Sequence, residues 1–174
     1  MHKNLYKFLI VFFVWSILPG KFLFAEQNCS ENIKNTSPDS DFLAQSDGVA
    51  FQKNADLVWM RCSLGQEWSG GSCQGKAKPF TWREALLAAE LHSYGGYEDW
   101  RLPNKNELEF IVEESCYSPA INSNVFPETP TGFFWTSSPY VGSSHAAWSI
   151  GFDFGSVSAS VKKGGLYVRL VRDK

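Results

Sequence analysis

Four cysteines constrain the fold of this 174-residue chain more than any other feature of its sequence. An even number of cysteines in an exported protein indicates two disulfide bonds, for which three pairings exist. Zinc binding is the competing interpretation, but zinc sites usually bring their cysteines in close C-x-x-C pairs, and the sequence has none. A short loop closes at little cost in entropy, so we expect Cys62 to bond with Cys73 across a Gly-rich segment. This choice leaves Cys29 to bond with Cys116.

The N-terminal segment indicates export. Lys3 and Lys7 form a short basic region before the uncharged apolar run 9–18, and further small and apolar residues lead to Ala25. This order is typical of a secretory signal peptide, and the apolar run has about half of the ~20 residues that a transmembrane helix needs. We therefore expect residues 1–25 to be a signal peptide cleaved after Ala25, with an uncleaved membrane anchor as the alternative. The expected location is secreted or periplasmic, with no membrane span after cleavage.

The length and charge of the mature chain limit its partners. Cleavage leaves 149 of the 174 residues, a normal length for one domain. Three lysines lie in the removed segment, so the formal net charge falls from −2 to −5. A protein of this charge has no overall attraction for polyanions, which together with export argues against a nucleic-acid partner. Any polyanion would have to bind to a local basic patch.

The mature chain has two parts of different composition. Residues 26–47 are polar and predict a loosely ordered lead-in, whereas residues 48–174 carry the patterns of a folded domain. Within this domain, the apolar segments 49–51 and 57–60 flank a polar stretch and predict a β-hairpin. The Gly- and Ser-rich residues 63–79 predict a loop.

Two adjacent helices follow this loop. Thr81 and Glu84 have the spacing of a capping box, and apolar residues then recur with helical spacing until Gly95-Gly96, which should end the helix. Asn104 and Glu107 mark the start of the second helix in the same way. Its buried face is predicted to hold Leu108, Ile111 and Val112, and its water-facing side Glu109, Glu113 and Glu114.

The C-terminal part has the pattern of β-strands. Residues 133–137 predict a short strand, and apolar residues alternate with polar ones over 148–154 as in a half-buried strand. Gly155-Ser156 predicts a two-residue turn into a return strand, and a last strand ends the chain. Strands early and late, with two adjacent helices between them, indicate an α+β domain. Its small antiparallel sheet should join the N- and C-terminal strands.

The sequence does not support catalysis. His92 and His145 are the histidines of the mature chain, and no third residue or oxyanion site marks a Ser–His pair. The G-x-S-x-G and H-E-x-x-H motifs are absent, and two disulfides would leave no cysteine nucleophile. We therefore expect a protein that is not an enzyme and that uses no cofactor.

Basic residues concentrate near the C-terminus and include Arg169. The Lys162-Lys163 pair precedes two glycines that let the backbone approach a sulfate or carboxylate closely, although a solvated loop is the alternative. With Arg172 and Lys174, this pair is the predicted binding site for an acidic glycan.

Aromatic residues offer other candidates for binding. Asp99 and Arg101 flank Trp100 and could clamp a ligand, but we expect all three residues to be structural, with the tryptophan in the core. Trp68 and Trp135 are the tryptophans whose patterns leave a face free to stack on a sugar, although packing is the default for both.

Several motifs in order resemble one known family. They are TWREALLAAE (81–90), GYEDWRLPNKNEL (96–108), SPAIN (118–122), FWTSS (134–138) and YVRLVR (167–172). These motifs are similar to those of the DUF1566 family, also called the Lcl C-terminal domain after a collagen-like bacterial adhesin. The resemblance extends from about Gly48 to Arg172.

The resemblance implies a fold and a class of function. The fold would be C-type-lectin-like, in an exported protein that binds polysaccharide, glycosaminoglycan or a surface protein at the cell envelope or a host surface. Calcium-dependent sugar lectins of the wider fold carry E-P-N or Q-P-D and W-N-D triplets, whereas this chain has L-P-N at 102–104 and D-W-R at 99–101. The resemblance therefore carries over no calcium site.

Two other functions remain as alternatives. One is a structural or inhibitory periplasmic protein without affinity for sugar. The other is an enzyme, since formylglycine-generating enzymes share the wider fold, although this chain is far shorter and should have no free cysteine pair.

Overall fold

The computed structural model describes residues 27–174, and the predicted signal peptide lies outside the described residues. The strands in the described part are β1 (Asn28–Cys29), β2 (Phe42–Ala44), β3 (Val49–Gln52), β4 (Leu57–Met60), β5 (Gln66–Ser69), β6 (Ser72–Gly75), β7 (Cys116–Tyr117), β8 (Phe133–Pro139), β9 (Ala146–Gly151), β10 (Ser156–Val161) and β11 (Val171–Asp173). The helices are α1 (Trp82–Glu90), α2 (Lys105–Glu109) and a 3-10 helix, Asp39–Asp41. Across residues 27–174, no helix has the length and hydropathy to span a bilayer. The domain is α+β, as predicted.

The larger sheet has the strand order β11-β4-β3-β2 and joins the two ends of the domain. β3 and β4 form the predicted hairpin, and β11 pairs antiparallel with β4, with Val171 opposite Trp59. These pairings confirm that N- and C-terminal strands share one sheet. β2 pairs with β3, so part of the predicted loose lead-in is an edge strand of this sheet. The lead-in prediction was wrong there because pairing with β3 is a tertiary contact that a polar composition does not reveal.

The second sheet has the order β10-β9-β8. Ser156 lies opposite Gly151, so four residues, Phe152–Gly155, connect β9 to β10. The predicted two-residue turn at Gly155-Ser156 is therefore wrong. Phe154 lies in the connection and is 72% exposed instead of half-buried. Gly155 adopts a φ of 73°, a left-handed conformation that glycine takes without a steric penalty.

Both helices begin with the predicted capping boxes. The Thr81 hydroxyl accepts a hydrogen bond from the backbone N–H of Glu84, and Asn104 caps α2 through Glu107 in the same way. α1 ends at Glu90, before the glycine pair that should have ended it, and α2 is only five residues long. Leu108 in α2 and Ile111 and Val112 after it are buried as predicted.

The segment predicted as a loop over residues 63–79 contains a hairpin. β5 pairs with β6, with Trp68 opposite Cys73, and the Cys62–Cys73 disulfide ties the hairpin to the end of the larger sheet. Gly70 and Gly71 form the turn with φ values of 61° and 86°. A Gly-Gly turn with positive φ at both positions is typical of a two-residue hairpin. The Gly-Gly pair therefore indicated a hairpin, although the Gly- and Ser-rich composition of the segment indicated a loop.

The interior consists of two hydrophobic clusters, one on each side of β8 and β9. The first contains Trp59, Leu108 and Phe126, and α2 packs on this side. The second contains Trp100 and Trp135 together with the buried alanines of α1. Both sheets and both helices therefore contribute to the interior.

The second predicted disulfide, Cys29–Cys116, ties the N-terminal segment to the residues that follow α2. β1 pairs with β7 beside this bond. All four cysteines are thus oxidised, in the pairing expected from the loop lengths.

Glu113 also holds the N-terminal segment in place. Its side chain is buried, so the prediction that it faces water was wrong. Its carboxylate accepts hydrogen bonds from the backbone N–H groups of Thr36, Ser37 and Ser115 at 3.0, 2.9 and 3.1 Å. Burial raises the pKa of Glu113, but these bonds and one from the Ser115 hydroxyl outweigh burial and hold the pKa below its usual value. The helical pattern failed here because α2 ends at Glu109.

We expect Glu113→Gln to lower the free energy of unfolding at pH 7 by about 1–3 kcal/mol, because an amide nitrogen would face N–H donors. The pKa of Glu113 is lower in the folded state, so its contribution is full above the unfolded value of about 4.3 and is lost as the pH falls through the folded value. The advantage of wild type over the variant should therefore shrink at acidic pH. Urea denaturation across pH 7 to 3 measures it, with Glu114→Gln, an exposed neighbour, as the control. A constant difference across this range would contradict the prediction.

Candidate functional site

The described residues form an open cleft of about 720 Å³ between the β5–β6 hairpin and the long loop 117–132. Polar side chains of the hairpin side are Gln66, Gln74 and Lys76. Polar side chains of the loop side are Ser118, Ser123, Glu128, Thr129 and Thr131. Tyr167 also lines the cleft.

Side-chain hydrogen bonds hold the loop 117–132 in place. Asn122 accepts a hydrogen bond from the backbone N–H of Asn124 at 3.0 Å through its side-chain oxygen. Arg61 donates from Nε to the carbonyl oxygen of Val125 at 2.7 Å and from Nη2 to that of Asn124 at 2.9 Å. The cleft wall is therefore fixed by a residue of the loop itself and by Arg61, which is distant from it in sequence.

Arg169 lies behind the cleft wall and is fully buried, so it does not belong to an accessible basic cluster as predicted. Nη1 donates to the carbonyl oxygen of Met60 at 2.9 Å and to that of Arg61, and Nη2 donates to Thr129 Oγ1 at 2.7 Å. Burial lowers the pKa of Arg169 to about 9, which leaves the guanidinium protonated at neutral pH. Its hydrogen bonds connect the end of β4 to the cleft wall.

Tyr167 supplies an aromatic ring to the cleft. The ring packs on Phe134, with 5.5 Å between ring centroids, and Gly132 lies against its edge. A Cβ on Gly132 would come within 3.3 Å of Tyr167 Cε2, and the φ of 133° at this glycine disfavours other residues. The tyrosine is thus held in one position while part of it remains accessible.

The chemistry of the cleft suits an uncharged, hydroxyl-rich ligand. Amide and hydroxyl side chains can donate and accept hydrogen bonds, and an aromatic ring offers a face to an apolar surface. Lys76 and Glu128 bring one charge of each sign, so the exposed lining has no excess of positive charge. A few polar groups around an aromatic and proline-lined surface are typical of ligand sites.

The predicted Lys162-Lys163 site lies at the end of β10. Lys162 Nζ donates to the carbonyl oxygen of Ser144 at 3.0 Å and lies 4.3 Å from the centroid of the Trp82 ring. Lys163 is exposed. One of the two charges is therefore already engaged within the protein.

Arg172 and Lys174 lie elsewhere, on and just after β11. Arg172 donates from Nε and Nη2 to the two carboxylate oxygens of Asp99 at 2.7 and 2.9 Å. These hydrogen bonds raise the pKa of Arg172 and lower that of Asp99. Lys174 Nζ lies 4.0 Å from the Asp56 carboxylate. The four predicted binding residues thus form two pairs on different sheets, and the second pair faces carboxylates.

The three residues predicted as structural all make contacts within the protein. Asp99 binds Arg172, and Trp100 is 3% exposed. Arg101 donates to both carboxylate oxygens of Glu107 at 2.8 and 3.0 Å and to Asp173 at 2.6 Å. The motif therefore connects α2 with β11.

The two tryptophans considered for sugar stacking are packed. Trp135 is fully buried, and the Arg61 guanidinium lies 4.0 Å from the centroid of the Trp68 ring. Trp68 also lies close to Gly48, where a Cβ would come within 2.6 Å of Trp68 Cγ, and is partly buried. Packing, the default for both residues, is what the structure shows.

Sequence reasoning missed the cleft as a site. Its polar residues come from the predicted 63–79 loop, the proline-rich segment 117–132, Gln27 of the lead-in and a position before the last strand. The available signal was the length of the segment 117–132, since a long ordered loop without secondary structure is often functional. Residues 27–174 contain no group of three or more His, Cys, Asp or Glu side chains placed to hold a metal ion.

Together these features define an α+β domain with two disulfide bonds and a polar cleft between a hairpin and a long loop. The family model of the Lcl C-terminal domain matches residues 48–172, and the chain belongs to that family. This match confirms the resemblance of the sequence motifs. No curated protein matches the chain closely enough to count as a relative.

Proposed function

We propose that this protein is an exported, lectin-like binding module that binds a polysaccharide in the cleft between the β5–β6 hairpin and the loop 117–132. The observation that carries the proposal is the lining of the cleft, in which hydroxyl and amide groups surround the half-buried Tyr167. A C-type-lectin-like fold is part of the proposal, supported by the sheet that joins the N- and C-terminal strands of the domain and by the two adjacent helices.

The proposed location is the periplasm or the cell exterior, at the envelope or on a host surface. Two disulfide bonds support this location because such bonds persist in oxidising compartments. The protein would act there by binding, without catalysis or a cofactor.

An uncharged polysaccharide is favoured over a sulfated glycosaminoglycan as the ligand. A sulfated chain needs several accessible cations close together. Here Arg172 is paired with Asp99, Arg169 is buried, and Lys162 packs on Trp82. The net charge of −5 expected for the mature chain also opposes polyanion binding.

We expect the double variant Gln74→Ala, Thr131→Ala to weaken binding to the polysaccharide selected on a glycan array. Each side chain is exposed in the cleft, and the loss of about one hydrogen bond worth 1–1.5 kcal/mol corresponds to roughly a tenfold higher Kd. Titration calorimetry with the selected oligosaccharide measures this change. The melting temperature should stay close to that of wild type because both positions are exposed.

Two comparisons decide between the candidate functions. Gln45→Ala removes an exposed glutamine outside the cleft and should leave binding unchanged. An array without any bound glycan would favour a structural or inhibitory protein. If wild type is retained on heparin at physiological salt and Lys162→Glu with Lys163→Glu abolishes retention, the ligand is a glycosaminoglycan bound at the C-terminal lysines.

A further inference from the structure

β10 is an edge of the second sheet, with β9 on one side and no strand of the described chain on the other. Lys162 N–H donates to the carbonyl oxygen of His145, which lies opposite it in the β9–β10 register. This bond shows which alternate residues of β10 are hydrogen-bonded to β9. Because hydrogen-bonded positions alternate along an antiparallel pair, the backbone N–H and C=O groups of Val157, Ala159 and Val161 point away from β9. The Val161 carbonyl oxygen already accepts one hydrogen bond, from the backbone N–H of Gly164 at 2.8 Å, and the remaining groups form the open edge.

The side chains of this edge are uncharged and partly apolar. Val157 is 37% exposed and Val161 is 62% exposed, and the other residues of β10 are serines and an alanine. Edge strands usually carry charges, prolines or bulges that prevent pairing with another chain. Within β10 none of these features is present, so its edge is open to a further strand.

The sequence of the edge specifies its partner. Residues 157–161 read V-S-A-S-V, which is the same in both directions. We propose that two copies of this protein pair through β10 as antiparallel strands, related by a two-fold axis at Ala159. In this register Val157 lies opposite Val161 of the second copy, and Ala159 lies opposite Ala159 of the second copy. In this register, each residue whose backbone groups point outward lies opposite another such residue. The N–H groups of one strand therefore meet the C=O groups of the other.

The charged residues beside β10 permit this register. Lys162 would lie opposite Ser156 of the second copy, and the two Lys162 residues would be about 20 Å apart along the strands at 3.3 Å per residue. No cleft-lining residue belongs to β10. The dimer therefore leaves both proposed ligand sites open, and its test is independent of theirs.

A cysteine scan along β10 tests the register in the mature protein. Ala159→Cys places two cysteines opposite each other with Cα atoms about 5.5 Å apart, within the range for a disulfide. This variant should form a covalent dimer under air, visible by non-reducing electrophoresis and mass spectrometry. Val161→Cys is the matched control on the same face, where the two cysteines would be about 13 Å apart along the strands and should not cross-link. Equal cross-linking of both variants would overturn the proposed register.

Sedimentation equilibrium tests the association itself. Wild type should show a concentration-dependent shift from monomer to dimer. Val157→Lys with Val161→Lys opposes like charges across the interface and should raise the dimer dissociation constant by roughly tenfold or more. Val141→Lys, a 99% exposed position outside β10, should leave it unchanged. A wild type that remains monomeric at every concentration, with no cross-link through Ala159→Cys, would overturn the proposal.

Discussion

Arg169→Ala is expected to lower the free energy of unfolding by about 3–5 kcal/mol, through the cavity it leaves and the acceptors it strands. The side chain is fully buried, and the carbonyl oxygens of Met60 and Arg61 would lose their guanidinium donor. Thr129 Oγ1 on the cleft wall would lose its 2.7 Å bond from Nη2. Desolvation of the guanidinium is relieved in the variant, but the two stranded carbonyls and the empty volume outweigh that gain. Urea denaturation followed by tryptophan fluorescence measures the loss.

Arg172→Ala is the matched control, since it removes the same type of side chain three positions later. Its partner Asp99 is largely exposed, so the loss should be about 1 kcal/mol or less. A similar stability for the two variants would contradict the prediction that the buried hydrogen bonds of Arg169 stabilise the domain. Arg169→Lys should recover only part of the loss, because an ammonium cannot reproduce the planar, forked donation of a guanidinium.

Those two arginines also show where sequence reasoning ends. Both stand in the run Y-V-R-L-V-R, three positions apart, so alternation places them on opposite faces of an extended segment without saying which face is buried. Arg169 is fully buried behind the cleft, whereas the side chain of Arg172 is 14% exposed and pairs with the largely exposed Asp99. The segment 167–170 is not part of a regular strand, and which side chains it buries depends on Met60, Arg61 and Thr129 from distant parts of the chain.

Features with local causes were predictable. The capping boxes at Thr81 and Asn104 need residues only three positions apart, and both helices begin where these residues place them. The β3–β4 hairpin follows from apolar segments on each side of a short polar stretch. The disulfide pairing followed from the short Gly-rich closure between Cys62 and Cys73.

Features with tertiary causes were missed. Glu113 was assigned to water from a helical pattern, yet α2 stops early and the N-terminal segment supplies backbone donors that bury it. The cleft requires residues from four separate parts of the chain to converge, and the spacing of residues in the sequence does not indicate that convergence. A basic patch was the more visible feature in the sequence, although the structure divides it between two sheets.

Trp100→Ala is expected to lower the free energy of unfolding by about 3–5 kcal/mol, as for a large aromatic side chain removed from a core. The indole is 3% exposed, belongs to the core under α1 and donates from Nε1 to the carbonyl oxygen of Tyr94 at 3.1 Å. Its ring also makes an edge-to-face contact with Tyr97, with 6.4 Å between centroids. Calorimetry should show a melting temperature lower by roughly 10 °C for a domain of this size.

Trp100→Phe separates ring packing from the hydrogen bond. It keeps an aromatic ring in the core and removes the Nε1–H donor to Tyr94, so the loss should be about 1–2 kcal/mol. An intermediate stability for this variant supports a residue that holds the G-Y-E-D-W-R-L-P segment between the two helices. If Trp100→Ala instead melts at the wild-type temperature while binding to the selected glycan is lost, Trp100 contacts the ligand and its assignment as structural is wrong.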